Sequence, residues 1–569
     1  MRLLQAFLVV GLTLRGSLTV QAATTFALPN TSATFQTAQP TLTLATWDAT
    51  DTFATATDSQ TTTATASNFS EQDPILDSRR TVNMLAGAPH LLLVVLLSFG
   101  RADIKGIYSL PQQGEVVQNK TLNVTDIQGD ILIGMKKKLE LFYFFSINEP
   151  KAFKKKLHTY VVPRITSTFQ LLSTSTQPIV CLNLAFTRTG LVSLGITANL
   201  GDTPFNRGQF ADASNLGDVL SNWISAFAGT KVHGVFLIAS DSSSNLVAMV
   251  KWLETLFGTD MTKLYTLQGN IRPPPNDGHE MFGFLDGIGQ PAVAGFNLVP
   301  APGQQVVSPG VILTGEPGDS RLGSRPKWAK DGSFLVFRQL KQLVPEFNKF
   351  LLDNAPPAPT ASPSMTLAER AELLGARIVG RWKSGAPVDL TPLVDNPTMG
   401  ANPLINNKFD FSHTGFNINT DQTHCPFAAH IRKTRPRADL STPLNAIMRA
   451  GIPYGPELSR AEAFSNQSSV LSSSERGLAF VSYQSNIDLG FQFIQTQWAN
   501  AINFAPGKNP VPGFDLIFGQ NAGATRWMSG ADIDNPTWKL KMLFDHVISR
   551  GGEYFFSPSI SAIRDVISV

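Results

Sequence analysis

From Leu122 onward the chain alternates short, dense apolar runs with amphipathic stretches and Gly/Pro-rich connections. Residues 139–147 (LELFYFFSI) have the length and the aromatic and aliphatic make-up of a strand, and residues 179–186 and 234–239 repeat that character. Residues 476–483 (RGLAFVSY) predict a further apolar strand, whereas 152–158 and 245–256 carry helical spacing. Short strands alternating with helices predict an α+β architecture of sheet and helix layers. No repeat at solenoid or propeller spacing interrupts this pattern.

The N-terminal part follows different rules. Arg2, the apolar stretch from Leu3 to Leu14 and the small-residue site Val20-Gln21-Ala22 read residues 1–22 as a secretory signal peptide, so an extracellular, secreted protein is expected. Residues 23–117 read as a Thr/Ala-rich leader or pro-segment, mostly without a fold. Thr, Ala and Ser fill 30 of the 48 positions from 23 to 70, and no Lys or Arg lies between Arg15 and Arg79. The apolar run 91–99, after the dibasic Arg79-Arg80, is too short to cross a bilayer. It reads equally as a second signal-like element or as an artefact of gene prediction. Five Asn-x-Ser/Thr sequons, at Asn30, Asn68, Asn119, Asn123 and Asn466, suit a secreted glycoprotein.

Composition narrows the function classes. Lys plus Arg total 46 against 43 Asp plus Glu, a net charge of +3, which argues against nucleic acid or a membrane surface as partner. Two cysteines, Cys181 and Cys425, exclude a disulfide framework and any Cys-rich metal site. The chain lacks CxxC, HExxH, GxSxG, a Walker loop and a strand-linked GxGxxG, which disfavours the common hydrolase and nucleotide-enzyme signatures.

Four segments could carry chemistry. Residues 278–287 (GHEMFGFLDG) set Asp286 among Phe and Leu between Gly283 and Gly287. Glycines there let the backbone approach another group closely, and apolar surroundings would raise the carboxyl pKa toward a proton-shuttling range. An Asx turn between strands is the competing reading. Residues 425–437 (CPFAAHIRKTRPR) place His430 ahead of four cations, a ligand-like imidazole beside anion-binding groups or else a core histidine beside a solvated basic face. Residues 448–457 (MRAGIPYGPE) read as a loop carrying Arg449 and Tyr454, and 476–483 as core strand.

In this order, GFLDG, CPFAAHIRKTRPR, IMRAGIPYGPE and RGLAFVSYQ resemble the secreted fungal branch of the dye-decolorizing peroxidases. DIQGD (126–130), GRWKSGAP (380–387) and GGEYFF (551–556) extend the likeness over roughly residues 122–569. The resemblance implies two ferredoxin-like domains, antiparallel sheets with peripheral helices, at 118–290 and 291–569, the second ligating haem b. It implies a peroxidase that uses hydrogen peroxide to oxidise bulky anthraquinone or azo dyes and phenolic, lignin-related small molecules by one-electron steps, as a monomer with no nucleic-acid or membrane partner. His430 would be the proximal iron ligand, Asp515 the carboxylate that takes its Nδ1 proton, and Arg432 a haem-propionate contact. Asp286 would be the distal acid–base residue and Arg449 its cationic partner. Leu478 and Phe480 would wall the pocket too narrowly for dyes, leaving Trp498 and Tyr454 as surface radical sites. The polar neighbours Gln495, Gln497 and Asn500 predict an exposed Trp498. Departures are a short connection from Arg437 to Arg449 and an unfamiliar stretch at 524–548. A haem-binding or iron-handling relative without strong peroxidase activity, and a carbohydrate-binding module with no Soret band, are the competing functions.

Overall fold

The apolar runs do become strands, and their near-continuous hydrophobicity reflects burial on both faces. The structure, a computed structural model, describes residues 122–569 apart from 174–176 and 298, together with the backbone of three short strands nearer the N-terminus. Those three, Phe7–Leu12, Leu18–Ala23 and Leu42–Thr43, pair antiparallel within a unit of residues 1–88. The rest of the signal and leader segments lies outside the described residues.

In the second unit, residues 89–569, nine strands form one sheet. They are β1 (Leu139–Ile147), β2 (Val180–Phe186), β3 (Gly234–Ser240), β4 (Met261–Asn270), β5 (Ser333–Gln342), β6 (Met448–Arg449), β7 (Ile452–Tyr454), β8 (Gly477–Gln484) and β9 (Val547–Ser557). The order is β5-β9-β2-β3-β1-β4-β7-β8-β6, and a further antiparallel pairing of β5 with β8, from Phe334↔Gln484 to Lys341↔Gly477, closes it into a barrel. Closure removes the exposed edges that an open sheet would leave. The two halves, β1–β4 and β5–β9, meet at thin seams, Phe186↔Phe556 and Gly269↔Tyr454. A side chain at Gly269 would lie 2.3 Å from Ile452 Cγ2, so this seam needs a glycine.

Strand alternation divides the core in two. Phe142, Phe144, Leu237, Phe337, Val481 and Phe555 turn into the barrel, where the Phe337 ring packs at an angle against Phe142 (5.0 Å between centroids) and edge-on to Phe144 (4.8 Å). Tyr143, Phe145, Leu184, Phe236 and Phe556 turn outward beneath helices, among them α1 (Pro150–Lys156) and α2 (Ser243–Phe257). The interior is thus filled by side chains, and a large cofactor must lie against the outer face. The predicted loop at 448–457 is corrected: β6 and β7 form there, because both lend main-chain hydrogen bonds to β8.

Candidate active site

Pairing in the sheet sets one wall. Arg449 lies opposite Ser482 across β6–β8, and opposed residues share a face, as do alternate residues along a strand. Arg449, Ser482, Phe480 and Leu478 therefore look outward together, while Ala479, Val481 and Tyr483 fill the barrel. Phe480 and Leu478 join the outer cluster, and the ring of Phe480 is 5.9 Å from that of Phe518.

The segment 278–287 folds as a tight loop ahead of this wall. Gly283 and Gly287 take positive φ, 97° and 84°, a region that side chains disfavour. Its organiser is Glu280, which accepts from Phe282 N (2.9 Å), Phe284 N (2.8 Å) and Gln342 Nε2 (2.5 Å). Burial pushes the Glu280 pKa up. Asp286, by contrast, is only partly covered: Arg449 Nη1 donates to its Oδ1 at 2.6 Å, as does Gly287 N. The expected apolar cage around Asp286 is therefore corrected, and the carboxyl enclosed by its own peptide is Glu280. Gln290 secures the approach, accepting from Arg449 N at 3.0 Å and donating to Arg449 O.

On the opposite side, His430 opens the short helix α3 (His430–Thr434). Its Nδ1 is 2.8 Å from Asp515 Oδ2, and the fully buried Asp515 also accepts from Ile517 N (2.8 Å) and Phe518 N (2.9 Å) through Oδ1. Burial opposes the Asp515 charge, yet the imidazole and the two amides outweigh it and hold the carboxyl below its usual value. With Nδ1 engaged, Nε2 is left for another partner, and it makes no hydrogen bond among the described residues. The Phe518 ring lies 6.2 Å from that of His430 and 5.9 Å from that of Phe480 on the wall that carries Arg449, and the charges of Arg449 and Asp286 reach the imidazole, so the two pairs share one site.

Arg432 does not face that space. Its Nε and Nη2 donate to Asp439 at 2.6 and 2.8 Å, Nη1 donates to Cys425 O, and the side chain is 3% exposed. The propionate contact expected of it is corrected, since a guanidinium so committed has little left to offer. Arg381, Arg435 and Arg437, by contrast, have no carboxylate ion pair among the described residues. Arg381 and Arg437 converge on the Asn407 side-chain oxygen and spend Nη1 on main-chain carbonyls, but unlike Arg432 each leaves Nε without a hydrogen bond among the described residues; burial, followed by neighbouring arginines, brings both down to about 9. Arg435 has no ion pair among the described residues, and burial lowers it to about 10. Buried positive charge with no ion-paired carboxylate among the described residues, with Arg381 within reach of the Asp286–Arg449 pair, fits, together with the His430 Nε2 and the apolar walls, a flat, dianionic macrocycle such as haem. Sequence reasoning missed these three, although they stand in the same basic run and in GRWKSGAP.

Both proposed radical residues are buried. Trp498 is 2% exposed, stacked on Phe504 at 4.9 Å and edge-on to Phe493 at 5.8 Å, on a π-helical turn. The expectation of a surface tryptophan is corrected: Gln495 faces inward, donating to Asn500 Oδ1 and Phe518 O, so the polar neighbours tie the turn to the site rather than to water. Tyr454 is 4% exposed within the barrel, and its hydroxyl donates to Glu475 Oε1 at 3.0 Å.

The chain matches the DyP dimeric alpha+beta barrel domain over residues 126–273 and the C-terminal Dyp-type peroxidase domain over 376–504. It is 53% identical over 462 residues to a dye-decolorizing peroxidase of Exidia glandulosa, covering 81% of this chain and 90% of that one. A second such enzyme, from Auricularia auricula-judae, is 52% identical over 476 residues, with 82% and 91% covered. The Auricularia enzyme crystallised with imidazole superposes with a TM-score of 0.76 at 53% identity, covering 79% of this chain and all of that one. A closed antiparallel barrel bearing an Asp–Arg pair across from a carboxylate-backed histidine, on a sequence half identical to these enzymes, places the chain in the dye-decolorizing peroxidase family.

Proposed function

We propose that this protein is a haem peroxidase that oxidises dyes with hydrogen peroxide, and that it acts after secretion, as a glycoprotein, on anthraquinone, azo and phenolic, lignin-related compounds. The observation that carries the reading is the gathering of the Asp286–Arg449 and His430–Asp515 pairs at one site, joined through Phe518 to the Phe480 wall. His430 Nε2 would hold the iron of haem b, and Arg381, Arg435 and Arg437 its propionates. Haem, when bound, would supply the redox centre that gives peroxide two electrons and then takes them back from substrates one at a time.

The protein's own groups handle protons and charge. The Asp286 carboxylate takes a proton from peroxide and returns it to the departing oxygen, making water of the leaving group. Arg449 stays protonated, so it acts as an oriented cation that stabilises negative charge on the peroxide and keeps Asp286 in place at 2.6 Å. Asp515 keeps the Nδ1 proton of His430 engaged, which leaves Nε2 as a strong donor. Leu478 and Phe480 restrict entry to small molecules. Electrons from bulky dyes then need an aromatic relay, and Tyr454 suits it, because Glu475 can take the phenol proton as the ring is oxidised. Trp498 serves such a relay only from within.

The test joins spectrum and kinetics. The purified protein is expected to show a haem Soret band and peroxide-dependent bleaching of an anthraquinone dye. His430→Ala is expected to lose the band, and Asp286→Asn to keep it while slowing the peroxide step about 10²–10⁴-fold. A haem-free wild type would return the carbohydrate-binding reading, and a haem protein inert toward peroxide the haem-handling one.

A further inference from the structure

The loop after the short helix Arg460–Ser465 sets a bare aromatic ring beside a sequon, and the site described above uses neither. Residues 464–468 read Phe-Ser-Asn-Gln-Ser. Asn466 caps that helix in the left-handed conformation (φ 53°, ψ 33°), which Asn tolerates better than most side chains, and it is exposed. The loop around it is firmly held. Ser468 N and Oγ donate to Glu346 at 2.7 and 2.8 Å, and Ser469 N donates to Glu462, itself paired with Arg476. Phe464 is nonetheless 92% exposed with no ring contact among the described residues, and Val470 and Leu471 follow at 99% and 63%. A rigid loop that displays a phenylalanine to water leaves an apolar surface that nothing among the described residues covers.

We propose that Asn466 carries an N-linked glycan whose first N-acetylglucosamine lays its apolar C–H face over the Phe464 ring. The assignment rests on the secreted reading above. In the transfer, a bond forms from Asn466 Nδ2 to sugar C1 while the C1–oxygen bond to the lipid diphosphate donor breaks; Nδ2 gives up one proton and the diphosphate leaves as an anion. Asn123, the other exposed sequon among the described residues, differs: its Oδ1 accepts from its own Thr125 hydroxyl, and its neighbours Leu122 and Val124 are already buried. A sugar there covers no bare ring.

The experiment secretes the full chain from yeast behind a heterologous leader, with a second culture using the native leader. Glycopeptide mass mapping is expected to find Asn466 occupied. After trimming to a single N-acetylglucosamine, the protein is expected to melt about 1–2 °C above Asn466→Gly, which keeps the left-handed turn but lacks the acceptor. That difference is expected to vanish in the Phe464→Ala background. An unmodified Asn466 in the secreted protein, or a melting difference that Phe464→Ala leaves intact, overturns the proposal. Absence from the medium with the native leader alone counts against secretion and leaves the Asn466 result standing.

Discussion

At the residue scale, the site depends on pairs rather than single groups. Gln290 holds Arg449 by both its main-chain N–H and its carbonyl, four residues from the carboxylate that Arg449 faces. Gln290→Ala frees the strand end that aims the guanidinium. A displacement of about 1 Å can cost up to a hundredfold, so the peroxide step is expected to fall about tenfold to a hundredfold with haem absorbance unchanged. Stopped-flow traces that overlay the parent's would remove Gln290 from the distal assembly. Asp515→Asn tests the other pair. An amide cannot both accept from His430 Nδ1 and replace the oxygen that accepts from Ile517 N and Phe518 N, so one link is lost. The expected outcome is a rise in the iron reduction potential and a loss of about 10–100-fold in haem affinity or peroxide rate. An unchanged potential would mean that the imidazole keeps its donor strength without the carboxylate.

At the element scale, the turn carrying Trp498 acts as a buttress. Trp498 stacks on Phe504, and Phe504 lies under Lys433, whose ammonium also donates to Ala501 O and Phe504 O; Lys433 belongs to the helix that His430 opens. Trp498→Ser removes a fully packed indole and is expected to cost about 3–5 kcal/mol of stability, with dye and phenol oxidation declining together as the proximal helix loosens. Thermal melting and paired assays check this. A variant that melts like the parent yet loses only dye turnover would restore Trp498 as a specific exit for electrons. The same element explains what the sequence misreported. Glutamine and asparagine flanking a tryptophan suggest a surface, but here Gln495 and Asn500 are spent on hydrogen bonds to each other and to main chain around the site.

At the scale of the whole molecule, buried titrating groups set how stability follows pH. Burial raises Asp130 to about 6 and Asp202, Asp331 and Glu553 to about 7, and lowers His546, ringed by Phe347, Phe350 and Phe544, to about 4. The four acids bind protons in the folded chain that the unfolded chain has released, so their contribution is present at low pH and is lost as pH rises toward 7. His546 has the opposite sign, losing stability as pH falls from its unfolded value toward 4. Lys433, which burial lowers to about 7, opposes the acids too, but only above pH 7, so the four acids make the folded state more stable at pH 5 than at pH 8, and calorimetric melting at both checks it. An equal or higher melting temperature at pH 8 refutes that balance, and His546→Phe is expected to widen the margin at pH 5.

The strands at 139–147, 180–186, 234–240 and 477–484, and, through the family resemblance, the pairing of His430 with Asp515 and of Asp286 with Arg449, were legible from sequence. Apolar runs and rare residue types in a fixed order are local facts that survive without coordinates. Barrel closure, the inward turn of Trp498 and Tyr454, the commitment of Arg432 to Asp439 and the clamps from Gln290 and Glu280 were not. Each depends on partners far apart in the chain, such as β5 with β8 or Gln290 with Arg449, and a side chain's exposure and charge balance are properties of those partners rather than of its neighbours in sequence. The residues thus determined which chemistry was available. Tertiary contacts alone decided which donors stayed free for a ligand and which were already used to hold the protein together.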